Sequence, residues 1–202
     1  MATSRHNILQ SVCLGQCKST DLPAQLDLSD NAAEMNRLWR RSIQQIRRGI
    51  VTEFGATLVW EHGRLLLINI VQGTAGEINL KMQVYKAQRF VGTFHTHPYE
   101  EGWLGIAFSG EDFASAINAQ ENLSIVHGGN RIAVLVHTDK SSKAVNRHSI
   151  IKRANALLKR YLIEGNLFDE AVLKLNIDLC AIHKIPLYLG TPDGRLTLRY
   201  KP

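Results

Sequence analysis

The sequence predicts an α+β domain in which helices flank a mostly antiparallel or mixed sheet. Two stretches carry apolar residues at helical spacing, one from Met35 to Ile50 and one from Ile150 to Leu162. Between and after them, short runs rich in β-branched residues break at Gly-, Asn- and Pro-bearing turns. With 45% apolar and 21% charged residues among 202, the chain has the balance of one globular domain with a proper core.

Residues 1 to 28 show little periodicity and read as an arm. Ser29, Asp30 and Asn31 offer helix caps, and Glu34 follows Asn31 by three positions. The recurrence of Met35, Leu38, Trp39, Ile43, Ile46 and Ile50 predicts a helix over roughly 31–49. Ile50–Trp60 and Arg64–Val71 read as strands joined by a hairpin turn at Glu61-His62-Gly63. A Gly-rich connection leads to Ile78–Tyr85, where Ile78, Leu80, Met82 and Val84 alternate with polar residues as in a strand. Arg89–His97 is a further strand, ended by Pro98, which lacks a backbone donor. Beyond a loop with Gly102 and Gly105, Ser109–Gln120 reads as a helix. Strands Leu123–Val126 and Arg131–His137 follow around Gly128-Gly129-Asn130. A second long helix spans Ala144 to Glu164. Residues 169–185 read as helical, although Leu175 to Leu179 also alternates like a strand. Leu187–Tyr200 is a hairpin around Thr191-Pro192-Asp193-Gly194. The expected organisation is an N-terminal arm (1–30), a core (31–140), and a C-terminal helical extension and hairpin (141–202) packed on the same domain.

Bulk properties narrow the function classes. No run approaches the ~18 apolar residues of a membrane span. The start, MATSRHNILQSVCLGQCKST, lacks the apolar stretch of a signal peptide, so the cytoplasm is expected. Cys13, Cys17 and Cys180 suit a reducing compartment, and Cys13 and Cys17 have no second pair with which to form a structural zinc site. The net charge of +6 gathers at Arg37, Arg40, Arg41, Arg47 and Arg48, and again between Lys143 and Arg160. Both groups fall on predicted amphipathic helices, where a solvated basic face is the ordinary explanation. Such a face can steer an acidic partner. Nothing matches a nucleic-acid-reading motif, so the sequence argues against nucleic acid as it does against a membrane.

Chemistry concentrates in GTFHTHPYEEGWLGIAFSGEDFASAI. His95 and His97 are two apart on a predicted strand and leave the same face. Asp112 follows His97 by 15 residues, in the first turn of the next helix. Two His and one Asp would leave the fourth position of a tetrahedral zinc for water, the arrangement of a catalytic site. Zinc makes that water acidic near neutrality and polarises the bond under attack. A base must take the proton, and Glu53 in VTEFGATLVW is the candidate, because a carboxylate on an apolar strand is costly unless it faces water or an ion. Each piece also has an ordinary reading. An HxH can be incidental, Ser109-Gly-Glu-Asp112 fits a helix capping box, and Glu53 can be an edge-strand charge. His127, His137, His148 and His183 join no ligand spacing and read as ordinary histidines.

The combination resembles the JAB/MPN family and its JAMM metal motif: an upstream Glu, then H-x-H-P, then S-x-x-D. The corresponding residues are Glu53, His95-Thr96-His97-Pro98 and Ser109-Gly110-Glu111-Asp112, with Glu53-Phe-Gly55-Ala-Thr-Leu58 similar to the family's E-x-G-x-L start. The resemblance covers roughly residues 33–139. It implies an MPN/JAB-like (cytidine-deaminase-like) mixed sheet flanked by helices. It also implies zinc on His95, His97 and Asp112, Glu53 as acid/base, and Ser109 helping to hold the oxyanion. The implied activity is cleavage of an isopeptide or peptide bond, often at the C-terminus of ubiquitin or a ubiquitin-like protein. The gap between His97 and Ser109 holds eleven residues and is longer than usual for the family. It keeps Glu100, Glu101 and Glu111 open as substitutes for Asp112 or Glu53, with Glu61 and Glu77 weaker candidates for the base. Residues outside the motif are candidates for specificity elements or a homodimer surface. Two other readings remain: a catalytically silent MPN-type scaffold, against which the intact ligands argue, and a basic nucleic-acid-associated protein with an incidental HxH.

Overall fold

The apolar runs of the chain assemble into one mixed sheet with helices on both faces. The computed structural model describes residues 5–74, 78–80, 83–98 and 107–202. Among them are five α-helices: α1 (Arg5–Cys13), α2 (Ser29–Ile46), α3 (Gly110–Asn118), α4 (Arg147–Ile163) and α5 (Phe168–His183). The strands are β1 (Gln25–Asp27), β2 (Phe54–Glu61), β3 (Arg64–Gln72), β4 (Arg89–Thr96), β5 (Leu123–His127), β6 (Ile132–Val136), β7 (Leu187–Gly190) and β8 (Arg195–Tyr200). They line up in the order β1-β8-β7-β6-β5-β4-β2-β3. Every neighbouring pair is antiparallel except β4 and β5.

The local reasons lie in the sequence. Glu61 pairs with Arg64, so His62 and Gly63 alone make the β2–β3 turn, both with positive φ (48° and 78°), the requirement of a two-residue hairpin. Alternation then divides the side chains between two cores. Phe54, Ala56, Leu58, Phe94, Ile125 and Val134 point to the face covered by α2 and the N-terminal segment. Val126, Ala133, Leu135 and Leu189 point to the face covered by α3, α4 and α5.

Two expectations are corrected. The segment read as an arm is folded: α1 and β1 belong to it, β1 pairs with β8, and Val12, Cys13, Cys17, Leu22 and Leu26 enter the core. Each arrives from a different local conformation, so no period shows in the sequence. The strand expected over 78–85 is not formed at 78–80 or 83–85, and residues 81–82 lie outside the described residues. The alternation there serves another purpose, because Ile78 and Leu80 lie over Gly55 at the start of β2. In the ambiguous stretch, residues 175–179 are helical: Ala171, Leu175 and Leu179 recur every four residues and are buried.

Gly92 marks the tightest backbone approach beside the site. A Cβ there would stand 2.0 Å from the Leu123 carbonyl oxygen, so any side chain pushes β5 off β4. Gly92→Ala is expected to cost about 3 kcal/mol through this overpacking, read as a lower urea midpoint.

Candidate metal centre

The cluster is built across the one parallel strand pair. β4 runs alongside β5 with His95 opposite Val126, and beyond its last residue the His97 amide still bonds the His127 carbonyl at 3.0 Å. His95 and His97 therefore leave the same face, beneath α3. Between them Thr96 points the other way. Its hydroxyl lies 2.7 Å from that of Ser42 on α2 and accepts the Phe54 N–H at 2.9 Å, which pins β4 to helix and neighbouring strand.

α3 brings in Asp112. Ser109 caps the helix, its Oγ accepting the Asp112 N–H (3.1 Å) while Asp112 Oδ2 accepts the Ser109 N–H (2.7 Å). The turn before the cap is clamped from α5, where buried Asn176 accepts the Phe108 N–H at 3.1 Å and donates to its carbonyl at 3.0 Å. The capping box and the metal-ligand reading thus use the same carboxylate: Oδ2 accepts the capping bond and lies nearer His97, while Oδ1 reaches His95.

The donor atoms converge. His95 Nε2 lies 2.9 Å from His97 Nε2 and 3.2 Å from Asp112 Oδ1, and His97 Nε2 lies 3.6 Å from Asp112 Oδ2. One ligand atom from each residue falls within 4.8 Å of the others. Donors about 2.0–2.1 Å from one ion at tetrahedral angles stand about 3.3 Å apart, so the set fits a small divalent cation without rearrangement. His97, 4% exposed, keeps a hydrogen bond to the Ala107 main chain, the outer contact expected of a ligating imidazole.

The electrostatics agree. Burial and the neighbouring His95 push His97 down to about 4, leaving it neutral with a lone pair for a metal. The two imidazoles and the Ser109 cap outweigh burial at Asp112 and hold its carboxyl well below the usual range. Glu53 precedes β2 rather than lying on it, held by main-chain bonds with Gly73 and Thr74. It is 5% exposed, and burial, reinforced by Asp112 and opposed by His95, raises its pKa to about 7.

Glu53, His95 and Asp112 line one cavity of about 260 Å³ together with Phe108, Ile78 and Leu80. Ser109 is exposed and sits at the helix cap next to Asp112. Of the alternative carboxylates, Glu111 lines the cavity and lies 3.7 Å from Arg147, Glu61 accepts from Gln88 far along β2, and Glu77, Glu100 and Glu101 lie outside the described residues. His127 is a buried core residue, stacked on Trp39 and bonded to Asn36. Sequence reasoning missed Asn176 and Glu121. The latter is a buried carboxylate on the cavity wall whose only signal is an acid placed just before an apolar strand. Among the described residues no helix is long and apolar enough to cross a membrane. Comparison with known protein families and with curated proteins finds no match for this sequence.

Glu53 makes the metal-free fold pH-sensitive. Its folded pKa of about 7 lies above its ordinary 4.5, so the folded chain keeps a proton that the unfolded chain releases. This contribution is fully present below 4.5 and lost as the pH rises through 7. In metal-free protein Glu53→Gln is expected to gain about 2–3 kcal/mol on wild type between pH 4.5 and 8, measured by urea denaturation at both.

Proposed function

We propose that the chain is a JAMM-type zinc hydrolase of the JAB/MPN family, cleaving an isopeptide or peptide bond at the C-terminus of a ubiquitin-like protein. The observation that carries this reading is the convergence of His95, His97 and Asp112 on one point beside a buried carboxylate, Glu53, at a cavity. An incidental HxH has no reason to be completed by a capping carboxylate from another element. A silent scaffold has no reason to keep the three donors together.

Two imidazoles and one carboxylate suit zinc, and when bound it would supply Lewis acidity to water and to the carbonyl under attack. The residues of the chain do the rest. Glu53, raised toward neutrality, takes the proton of the attacking water and returns it to the departing amine. The Ser109 hydroxyl accepts the Asp112 N–H and keeps its own proton to donate to the developing oxyanion. Ile78, Leu80 and Phe108 wall the cavity with apolar surface and limit the water that reaches Glu53. The reaction takes place in the cytoplasm, without nucleic acid or membrane.

Purified protein is expected to carry about one zinc per chain by elemental analysis, and His97→Ala and Asp112→Ala to lose it. A folded, zinc-supplied wild type with no bound metal would instead support the scaffold. Glu53→Gln is expected to keep its zinc while turnover of ubiquitin-like conjugates falls by about 10²–10⁴-fold; undiminished turnover removes Glu53 as the base.

A further inference from the structure

α3 carries a metal-cluster residue at its start and delivers a second buried carboxylate just past its end. Gln120 turns the chain with φ 51°, the Glu121 N–H bonds back to the Ala116 carbonyl, and the Glu121 side chain returns under the helix to the sheet. It is 5% exposed, yet lines the same cavity as Glu53, His95 and Asp112. Three donors converge on its Oε2: Thr93 N–H at 3.2 Å, Thr93 Oγ at 2.8 Å and Ser124 Oγ at 2.5 Å. No donor among the described residues reaches its other oxygen. Thr93 precedes His95 by two residues on β4, so this carboxylate stands about 7 Å along the strand from the metal ligands.

Charge accounting sets Glu121 apart. Four carboxylates line the cavity, and among the described residues the basic side chains there are Arg147 and the cluster residue His95. Arg147 lies against Glu111 at 3.7 Å. Asp112 and Glu53 face the metal position. The hydrogen bonds to Glu121 all come from neutral donors; burial raises its pKa, with His95, committed to the metal position, as its basic neighbour. A buried carboxylate that no cation contacts directly is costly. The apolar part of the lining is formed by Ile78, Leu80, Phe108, Ala116 and Ala119, beside the polar Thr93, Ser115 and Ser124. An aliphatic stem with a positive tip matches that lining, and an anion or a bulky neutral group does not.

We propose that this cavity is a subsite for an alkylammonium group, the side chain of a lysine one residue removed from the scissile bond, with Glu121 selecting its charge. The lysine role rests on the hydrolase reading; the preference for an ammonium group does not. The group is distinct from the amine released by cleavage, which forms at the metal cluster. Glu121 holds the tip through its free oxygen while Thr93 and Ser124 keep the carboxylate in place.

The test is binding, followed by amide NMR on zinc-loaded and metal-free protein, of n-butylammonium and of 1-butanol, its neutral counterpart. Wild type is expected to bind the amine at least about fivefold more tightly, with shifts at Thr93 and Ser124. Glu121→Gln should bring the two affinities within about twofold, whereas Glu164→Gln, an exposed change of equal charge elsewhere, should not. Equal affinities in wild type, or shifts away from Thr93 and Ser124, overturn the subsite even if Glu121→Gln fails to fold. Peptides with lysine or norleucine beside the cleaved bond add the kinetic arm, with lysine favoured in kcat/KM and the preference lost in Glu121→Gln. Absence of all turnover with ammonium binding intact would remove the hydrolase and leave the subsite. Turnover without ammonium preference would do the reverse.

Discussion

The parallel pairing of β4 with β5 governs everything at the cluster. Antiparallel neighbours can be joined by two residues, but parallel neighbours need a crossover of a dozen or more. Between Thr96 and Leu123 the chain must therefore leave the sheet, pass over one face and return. α3 forms in that crossover, and its N-terminus is brought over the end of β4. Ligands from strand and helix meet there because the topology gives them no other arrangement: the histidines occupy the last turn of the pleat, and Asp112 the first turn of the helix above it.

The cluster is held by contacts that do not themselves touch a metal. Thr96, facing away from the histidines on either side of it, ties β4 to Ser42 and Phe54. Asn176 fixes the main chain at Phe108, one residue before the cap. The capping box then sets the rotamer of Asp112. The Thr96 and Asn176 links are buried hydrogen bonds, so the loss of one partner leaves the other unsatisfied, a larger penalty than the bond's net worth. That asymmetry holds two imidazoles and a carboxylate together at one point.

The readable parts of the sequence were those written locally. The hairpin at His62-Gly63, the long helices and the Ser109 cap all declare themselves through spacing or turn chemistry. HxH followed by a capping carboxylate was readable as a ligand set because strand and helix periodicity fix which side chains share a face. The unread parts depend on distant partners. Val12, Cys13 and Leu22 look aperiodic because the core they enter is made by β2 and β8. Residues 78–80 alternate like a strand, yet cover Gly55, whose missing side chain makes room for them. Glu121 is indistinguishable from a surface acid until the chain turns it inward, and Asn176 looks like any polar residue on a helix until Phe108 is packed against it.

The cavity brings four carboxylates together against partly apolar walls. The two imidazoles lead in stabilising the Asp112 carboxylate, with the Ser109 cap behind them, whereas hydroxyls and a main-chain amide hold Glu121 against the burial that raises its pKa, as burial also raises that of Glu53. Neutral donors fix the position of a carboxylate without supplying a counter-charge, and apolar walls strengthen the field of a carboxylate that is ionised. Lys and Arg abound on this chain, yet among the described residues Arg147 alone of them reaches the lining, where it lies against Glu111, and the other basic group there is the cluster residue His95. With 24 Lys and Arg in the chain and Arg147 alone of them at this lining among the described residues, a bound cation can supply further counter-charge. The two ends of α3 separate that demand into two positions, one shaped by imidazoles for a metal and the other by hydroxyls and aliphatic walls for an organic cation.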